Sequence, residues 1–287
     1  MSEIKTICLF QSYWLGRLPL YIKYYLSEIS KYEDNIVFIT NYKIIDKNDE
    51  DYINRYSSEL VMFEDEGYDF GMYYKYIKDM DTSKYDRLTI ANDSVILFNK
   101  LEDIYSIAAN SAADFIGLTE SYCIKYHLQA YFVIFKKKSL KNVKELFIQN
   151  GIKTSYYDVV LNYEIGLTQY LMENGLKYEA IYKCTEQNRV DKLNPIYYYL
   201  EDLIKRGFPF IKKKLVIQNF GIRDYHVFLK NKFNIDSEYY LNLMVSCNNS
   251  DGHLSRAFIN QNIISNKKEF EKLLILGIYK LLCKSIP

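Results

Sequence analysis

Three polar residues follow a short apolar run in the first third of the chain. Leu88–Ala91 has the pattern of a buried strand, and Asn92, Asp93 and Ser94 come directly after it. Open α/β sheets bind ligands at the carboxyl ends of their strands. Mg²⁺ often takes only one or two protein carboxylates and completes its shell with water and substrate phosphates. The segment predicts a divalent-metal site at Asp93 for a diphosphate-bearing substrate or, as the simpler alternative, an Asx turn that ends the strand.

A second candidate for chemistry is Glu164. Asn162 is a typical N-cap residue and Gly175 a typical helix stop, which predicts a helix over Tyr163–Asn174 with Glu164 in its first turn. A carboxylate in that turn can simply be favoured by the helix dipole. Glu164 also shares a helix face with Leu167, where a carboxylate is costly unless it has partners or a task. Both interpretations stay open at this point.

The elements that must position these residues indicate an α/β fold. Strand, helix and strand follow one another from the start, which implies a parallel sheet flanked by helices. A last aromatic strand is expected to be antiparallel in part, and a polar, charged segment at Asp46–Ser58 interrupts the pattern. The predicted strands are Thr6–Gln11, Ile36–Thr40, Glu59–Phe63, Tyr85–Ala91, Asp114–Thr119 and Tyr131–Lys136, and the predicted helices are Pro19–Lys31, Phe70–Met80 and Leu101–Ala109.

Composition narrows the class of protein. A chain of 287 residues can bury a large core, and a formal net charge of +1 gives no electrostatic footprint for nucleic acid. Five cysteines without Cys-x-x-Cys spacing disfavour a disulfide framework or a structural zinc site. No signal-peptide pattern or bilayer-length apolar stretch is apparent, so we expect a cytoplasmic protein, with at most peripheral contact at the inner face of the membrane.

Five short segments, in the same order, resemble the rhamnan synthesis F family of bacterial glycosyltransferases. The segments are Gly67–Gly71, Asn92–Ser94, His127–Phe135, Tyr163–Thr168 and Gly207–Lys212. The resemblance implies a GT-A type, Rossmann-like mixed sheet. It also implies a hexosyltransferase that uses a nucleotide-sugar donor and a divalent cation, Mn²⁺ or Mg²⁺. The sugar, of the rhamnose or galactofuranose class, would pass to a growing cell-surface polysaccharide or a lipid-linked glycan.

The resemblance also implies roles for single residues. Glu164 would deprotonate the acceptor hydroxyl, and Asp93 would hold the metal, in a single displacement that inverts the anomeric carbon. Asp69 would contact the nucleotide end of the donor, although an Asp before a predicted helix is also a common helix cap. Gln11 stands where His is typical of the family. The implied donor-contacting residues are Gln11, Ser12, Asp69, Asn92, Asp93 and Ser94.

Two further features have more than one interpretation. His127 precedes an aromatic strand, where it could be structural, a late metal ligand, or a contact to the sugar acceptor together with Gln129. The run Lys212–Lys214 could be a solvated face, or it could meet a diphosphate or a lipid-linked acceptor phosphate.

The chain is expected to form two units. Residues 1–190 would be the catalytic domain, and residues 191–287 a mainly helical extension that completes the acceptor side. A basic amphipathic helix at Asn266–Ser285 could lie on an anionic membrane or close the core of the extension. Two alternatives to an inverting enzyme stay open. One is a retaining transferase, and the other is a catalytically silent carbohydrate-binding or assembly module.

Overall fold

Strands and helices alternate along the chain in the computed structural model, which describes residues 4–13, 17–41, 45–217 and 225–236. The strands are β1 (Thr6–Ser12), β2 (Asn35–Thr40), β3 (Glu59–Met62), β4 (Arg87–Asn92), β5 (Val95–Leu97), β6 (Phe115–Ser121), β7 (His127–Leu128), β8 (Phe132–Lys136), β9 (Tyr178–Tyr182) and β10 (Phe210–Lys212). The helices are α1 (Leu20–Ile29), α2 (Lys47–Tyr56), α3 (Tyr68–Ile77), α4 (Glu102–Asn110), α5 (Lys137–Asn150), α6 (Tyr156–Val159), α7 (Gly166–Glu173), α8 (Glu186–Asp191), α9 (Pro195–Tyr198), α10 (Leu200–Lys205), α11 (Lys213–Ile217) and α12 (Tyr225–Phe233).

Eight of these strands form one mixed sheet. Its order is β3-β2-β1-β4-β8-β6-β7, and β9 pairs with β6 in parallel. β1 lies between β2 and β4 and is parallel to both, whereas β8 runs antiparallel to β4 and β6. The predicted α/β class is therefore confirmed, including the antiparallel aromatic strand.

The central strands are buried on both faces. In β1, Cys8 and Phe10 point into one hydrophobic cluster, while Ile7 and Leu9 point into the other, as the two-residue period of a strand requires. Residues of α1 and α4 complete the first cluster, and residues of α3, α5 and α7 complete the second. Burial on both sides explains why the strands appear in the sequence as continuous apolar runs.

The polar segment after β2 contains a helix that the apolar pattern does not predict. Helix α2 begins after Asp46, whose side chain accepts a hydrogen bond from the Asn48 amide. Its buried residues are Ile53 and Asp49, and the Asp49 carboxylate is held by the side chain of Arg17. A helix with one fully buried apolar side chain and two partly buried tyrosines, Tyr52 and Tyr56, has a weak periodic signal, so its cap and first-turn acids are the clearer marks in the sequence.

The helical stretch that carries Glu164 begins earlier than predicted. Ser155 caps it by accepting a hydrogen bond from the Asp158 amide, and α6, a π-helical segment at Val160–Ile165 and α7 then follow without a break. The prediction that Glu164 lies in a first helical turn is therefore wrong, because Glu164 lies inside the π-helical segment. The predicted stop is confirmed: the stretch ends before Gly175, which has a φ of 73°.

The chain returns to the sheet after the helices α9 and α10. β10 pairs antiparallel with β5, and Phe208 and Phe210 enter the hydrophobic cluster that contains Cys8 and Phe10 of β1. The boundary at residue 190 stays a prediction. The predicted helix at Asn266–Ser285 lies outside the described residues. In the ranges that the structure does describe, no helix is both long and apolar enough to cross a bilayer.

Candidate active site

The carboxyl ends of β1 and β4 meet at one edge of the sheet. Gln11 of β1 is paired with Asn92 of β4, and the Asp93 amide donates a hydrogen bond to the Gln11 carbonyl at 3.1 Å. Gln11 and Ser12 are both buried here. The parallel pairing of these two strands thus brings together the predicted donor-contacting residues of both segments, as the strand order requires.

Asn92 forms the Asx turn that was the simpler interpretation of this segment. Its side-chain oxygen accepts hydrogen bonds from the Ser94 amide at 3.1 Å and the Ser94 hydroxyl at 2.6 Å. Its side-chain amide donates to Asp69 at 2.6 Å. The turn and the candidate site therefore coexist, because one Asn side chain both ends the strand and holds a carboxylate at the same edge.

Asp93 is a buried carboxylate with four donors on a single oxygen. Its Oδ2 accepts from the Ser12 hydroxyl at 3.2 Å, the Tyr13 amide at 3.2 Å, the Tyr21 hydroxyl at 3.4 Å and the Lys213 ammonium at 3.1 Å. Burial favours the neutral amine of Lys213, but Asp93 and the Tyr21 hydroxyl outweigh it and raise the pKa of Lys213. Asp93 and Lys213 therefore form a buried ion pair.

These partners do not fit a cation held on that oxygen. Hydrogen-bond donors point their positive ends at Asp93 Oδ2, and one of them is a full ammonium charge. A divalent cation there would have to displace Lys213. Within the described residues, no three or more His, Cys, Asp or Glu side chains gather into a group that could hold a metal ion. A metal at Asp93 stays a prediction that this arrangement does not favour.

Asp69 lies in the first turn of α3 and does not cap it. Gly67 is the N-cap residue, with a φ of 75° that an L side chain rarely adopts. The Asp69 carboxylate instead accepts from the Asn92 amide group and from the adjacent Phe70 backbone amide. Burial, reinforced by the negative charge of Glu164, raises the pKa of Asp69 to about 6. The prediction that Asp69 meets the donor site is thus compatible with its position; Gly67 and not Asp69 is the N-cap residue, but the Asp69 carboxylate does accept a first-turn backbone amide of α3.

Glu164 is the carboxylate near this edge with the fewest bonded partners in the described residues. Among the described residues, no hydrogen-bond donor or cationic side chain is bonded to its carboxylate, and the residue is half-buried. Its charge acts on Asp69 and on Lys212, which places all three groups in one electrostatic cluster. π-helical segments occur frequently at functional sites, where the extra residue re-aims a side chain. An unbonded carboxylate of this kind can accept a proton.

Lys212 contributes a second ammonium group, one that the sequence left ambiguous. Its Nζ donates to the Ser94 hydroxyl at 3.1 Å and lies 5.0 Å from the centre of the Tyr131 ring. Burial lowers the pKa of Lys212 to about 8, against the opposing effect of Glu164. The adjacent Lys214 is exposed. The interpretation of the lysine run as a solvated face is therefore wrong for Lys212 and Lys213.

Within the described residues, neither His127 nor Gln129 is hydrogen-bonded to this cluster. Nδ1 of His127 lies 2.9 Å from the Lys125 carbonyl, and β7 packs against the π-helical segment that holds Glu164. Gln129 is only 1% exposed, and its side-chain oxygen accepts from the Thr119 hydroxyl at 2.8 Å. His127 thus lies on the Glu164 side of the molecule, whereas Gln129 is an interior residue that would have to move before it could touch an acceptor.

One known protein family matches most of this chain. The family model for rhamnan synthesis protein F matches residues 36–276, which is most of its length. The chain belongs to the rhamnan synthesis protein F family. The matched region includes Asp69, Asn92–Ser94, Glu164 and Lys212, and so contains nearly the whole candidate site.

A curated relative shares part of this region. The virulence protein VirA of Vibrio anguillarum is 29% identical over 191 residues, which are 53% of this chain and 60% of that protein. The chain therefore spans less than two thirds of the length of this relative.

Solved structures of low identity were also found. A putative nucleotide-diphospho-sugar transferase from Desulfovibrio desulfuricans G20 is 12% identical with a TM-score of 0.42, covering 72% of this chain and 99% of that one. The glycosyltransferase GlyE of Streptococcus pneumoniae TIGR4 is 12% identical with a TM-score of 0.43, covering 85% of this chain and 64% of that one.

Proposed function

We propose that this member of the rhamnan synthesis protein F family is a GT-A type glycosyltransferase. It would move a hexose from a nucleotide-sugar donor to a hydroxyl of a growing cell-surface polysaccharide. The observation that carries the proposal is the pairing of two chemistries near one sheet edge: Glu164, a carboxylate with no bonded partner among the described residues, acts electrostatically on the half-buried ammonium of Lys212. A base for the acceptor and a cation for the leaving group are the two things that glycosyl transfer needs.

The proposed reaction is a single displacement. Glu164 takes the proton of the acceptor hydroxyl while its oxygen forms a bond to the anomeric carbon. The bond from that carbon to the diphosphate oxygen breaks, and its electron pair leaves with the nucleoside diphosphate. Because attack and departure take place on opposite faces, the configuration inverts. A positioned general base of this kind typically contributes about 10²- to 10⁴-fold to the rate.

The donor would lie along the turn that follows β4. Asn92, Ser94 and Asp69 present amide, hydroxyl and carboxylate groups there, next to the buried end of β1. Rhamnose and galactofuranose are the proposed donor sugars, on the resemblance of the sequence alone. The predicted Mn²⁺ or Mg²⁺ would supply positive charge at the diphosphate, but the hydrogen-bond donors around Asp93 do not fit a cation on that carboxylate oxygen.

The base role is tested by replacing Glu164 with glutamine. Glu164→Gln keeps the shape of the side chain and removes its basicity, so transfer should fall by about 10²-fold or more while donor binding persists. Glu173→Gln is the matched control, because Glu173 is an exposed residue at the end of the same helical stretch. Transfer by Glu164→Gln within about threefold of the wild type, far less than a general base contributes, would remove Glu164 from the mechanism.

A further inference from the structure

Two consecutive lysines reach the turn after β4 because of how the chain returns to the sheet. β10 pairs with β5, which begins directly after that turn, and the register places Lys212 opposite Val95. The Lys213 amide donates to the Ser94 carbonyl at 3.0 Å, and α11 begins at Lys213. Neighbouring residues of a strand point to opposite faces, but here the strand ends between the two lysines, so both side chains reach the turn.

Lys213 meets the charge of Asp93. Its ammonium lies 3.1 Å from Asp93 Oδ2 and 3.0 Å from the Tyr21 hydroxyl, and the two charged side chains are 19% and 9% exposed. A buried carboxylate that is paired in this way has its charge compensated inside the protein. Asp93 therefore holds the Lys213 ammonium in place instead of a bound metal ion.

Lys212 has no such compensation at bonding distance. In the described part of the chain, its hydrogen bond goes to the neutral Ser94 hydroxyl and its other close partner is the face of Tyr131. Glu164 acts on it without forming an ion pair. A half-buried ammonium whose charge is incompletely compensated is costly unless an anion binds it, and lysine is a common point-charge ligand for phosphate.

We propose that Lys212 and Lys213 supply the positive charge that stabilises the departing diphosphate, in place of a divalent cation held by Asp93. This inference rests on the proposed function. When the bond from the anomeric carbon to the diphosphate oxygen breaks, the electron pair stays on that oxygen. The two ammonium groups stabilise the resulting negative charge by donating hydrogen bonds to phosphate oxygens, and neither needs to lose its proton. Lys213 is held in place by Asp93, and Lys212 by Ser94.

The test is calorimetric binding of nucleoside diphosphates to the full chain. ADP, CDP, GDP, UDP and dTDP are titrated separately, first with excess EDTA and then with Mn²⁺. We expect one of them to bind in EDTA with an affinity within about threefold of that in Mn²⁺, because the cation is already part of the protein. Raising the salt concentration should weaken this binding, as it does for charge contacts near the surface.

Variants assign the effect to the lysines. Lys212→Met should weaken binding in EDTA by roughly tenfold or more, the scale of a hydrogen bond to a charged group. Lys205→Met is the control, because Lys205 is an exposed lysine of α10 that pairs with Glu201. Lys213→Met alone would strand the Asp93 charge. The double variant Asp93→Asn/Lys213→Met removes both charges of the pair, leaves the net charge of the site unchanged, and should bind as weakly as Lys212→Met.

The outcomes separate the two proposals. A diphosphate that binds only with Mn²⁺ would overturn the lysine assignment and leave the glycosyltransferase proposal intact. EDTA-resistant binding that Lys212→Met and the double variant leave unchanged would also overturn it, because the cation would then lie elsewhere. Absence of binding to all five diphosphates under both conditions would overturn both proposals.

Discussion

Replacing Asp69 with asparagine should make the protein more stable at neutral pH and a poorer binder of its donor. Burial and the neighbouring Glu164 charge raise the pKa of Asp69 to about 6 from an ordinary value of 3.8. Asparagine resembles the protonated acid in size and can still accept the hydrogen bond that Asn92 donates. The substitution therefore removes the cost of keeping this carboxylate ionised in the folded state.

The size of the effect follows from proton linkage. Each pKa unit is worth about 1.4 kcal/mol, so the two pKa values of Asp69 correspond to roughly 3 kcal/mol at pH 7. Asp69 is half-buried and partly screened by water, which reduces the expected gain to about 1–3 kcal/mol. Below pH 3.8 the acid is protonated in both states, so the difference should vanish there. It should grow as the pH rises through about 6 and stay constant above that.

Urea unfolding of the two proteins at several pH values between 3.5 and 8, roughly the range that brackets the two pKa values, measures this difference. The midpoint should shift without a change in the slope. Asp103→Asn is the control, because Asp103 is an exposed acid in the first turn of α4. Asp103→Asn should lower the free energy of unfolding by a few tenths of a kcal/mol through the helix dipole, a smaller effect of opposite sign to that of Asp69→Asn.

Two results would refute this reasoning: no gain in stability for Asp69→Asn at pH 7.5, or a gain that is the same at all pH values. Either result would mean that the Asp69 carboxylate is not strained by burial and by Glu164. A gain in stability together with undiminished diphosphate binding would instead show that Asp69 is a structural residue and not a contact of the donor.

Three further results are expected. Gly67→Ala should cost at least about 1 kcal/mol of stability, since Gly67 has a φ of 75° and a Cβ there would come within 2.8 Å of an isoleucine side chain. Gly175→Ala should cost less in the same urea assay, because Gly175 has a similar φ of 73° but open space around an added Cβ. Diphosphate affinity measured in EDTA should fall as the pH rises through about 8, because Lys212 then loses its charge; a flat profile between pH 7 and about 9.5 would contradict its role. Glu164→Gln should lower the pKa of both Asp69 and Lys212, because Glu164 raises both, and NMR titration of the two side chains checks this.

The sheet was predictable from the sequence because its strands are buried on both faces. Short apolar runs rich in β-branched and aromatic residues, such as Ile36–Thr40, favour buried strands, and a strand that ends in Asn-Asp-Ser places those residues at the carboxyl edge. Helix α2 was missed for the opposite reason, since Ile53 is its one fully buried apolar residue and Tyr52 and Tyr56 are only partly buried against the core. Its capping residue and first-turn acids were the clearer local signals.

The partners within the site were beyond local sequence reasoning. Lys213 and Asp93 are 120 residues apart in the chain, and their contact depends on the pairing of two three-residue strands, β5 and β10. Strands this short have too few residues to show a period. The helical stretch around Glu164 begins at the Ser155 cap, ahead of Asn162, so the place of Glu164 in mid-helix could not be predicted from Asn162 and Gly175 alone.

The most direct test of the account is donor consumption by the purified full chain. A panel of nucleotide sugars that includes activated rhamnose and galactofuranose is incubated with the protein, with and without polysaccharide acceptor, and released nucleoside diphosphate is measured. We expect one donor to be consumed, faster with acceptor, and Glu164→Gln to reduce the acceptor-dependent rate by about 10²-fold. If the folded protein consumes none of the donors and binds none of their diphosphates, the assignment as a glycosyltransferase is contradicted.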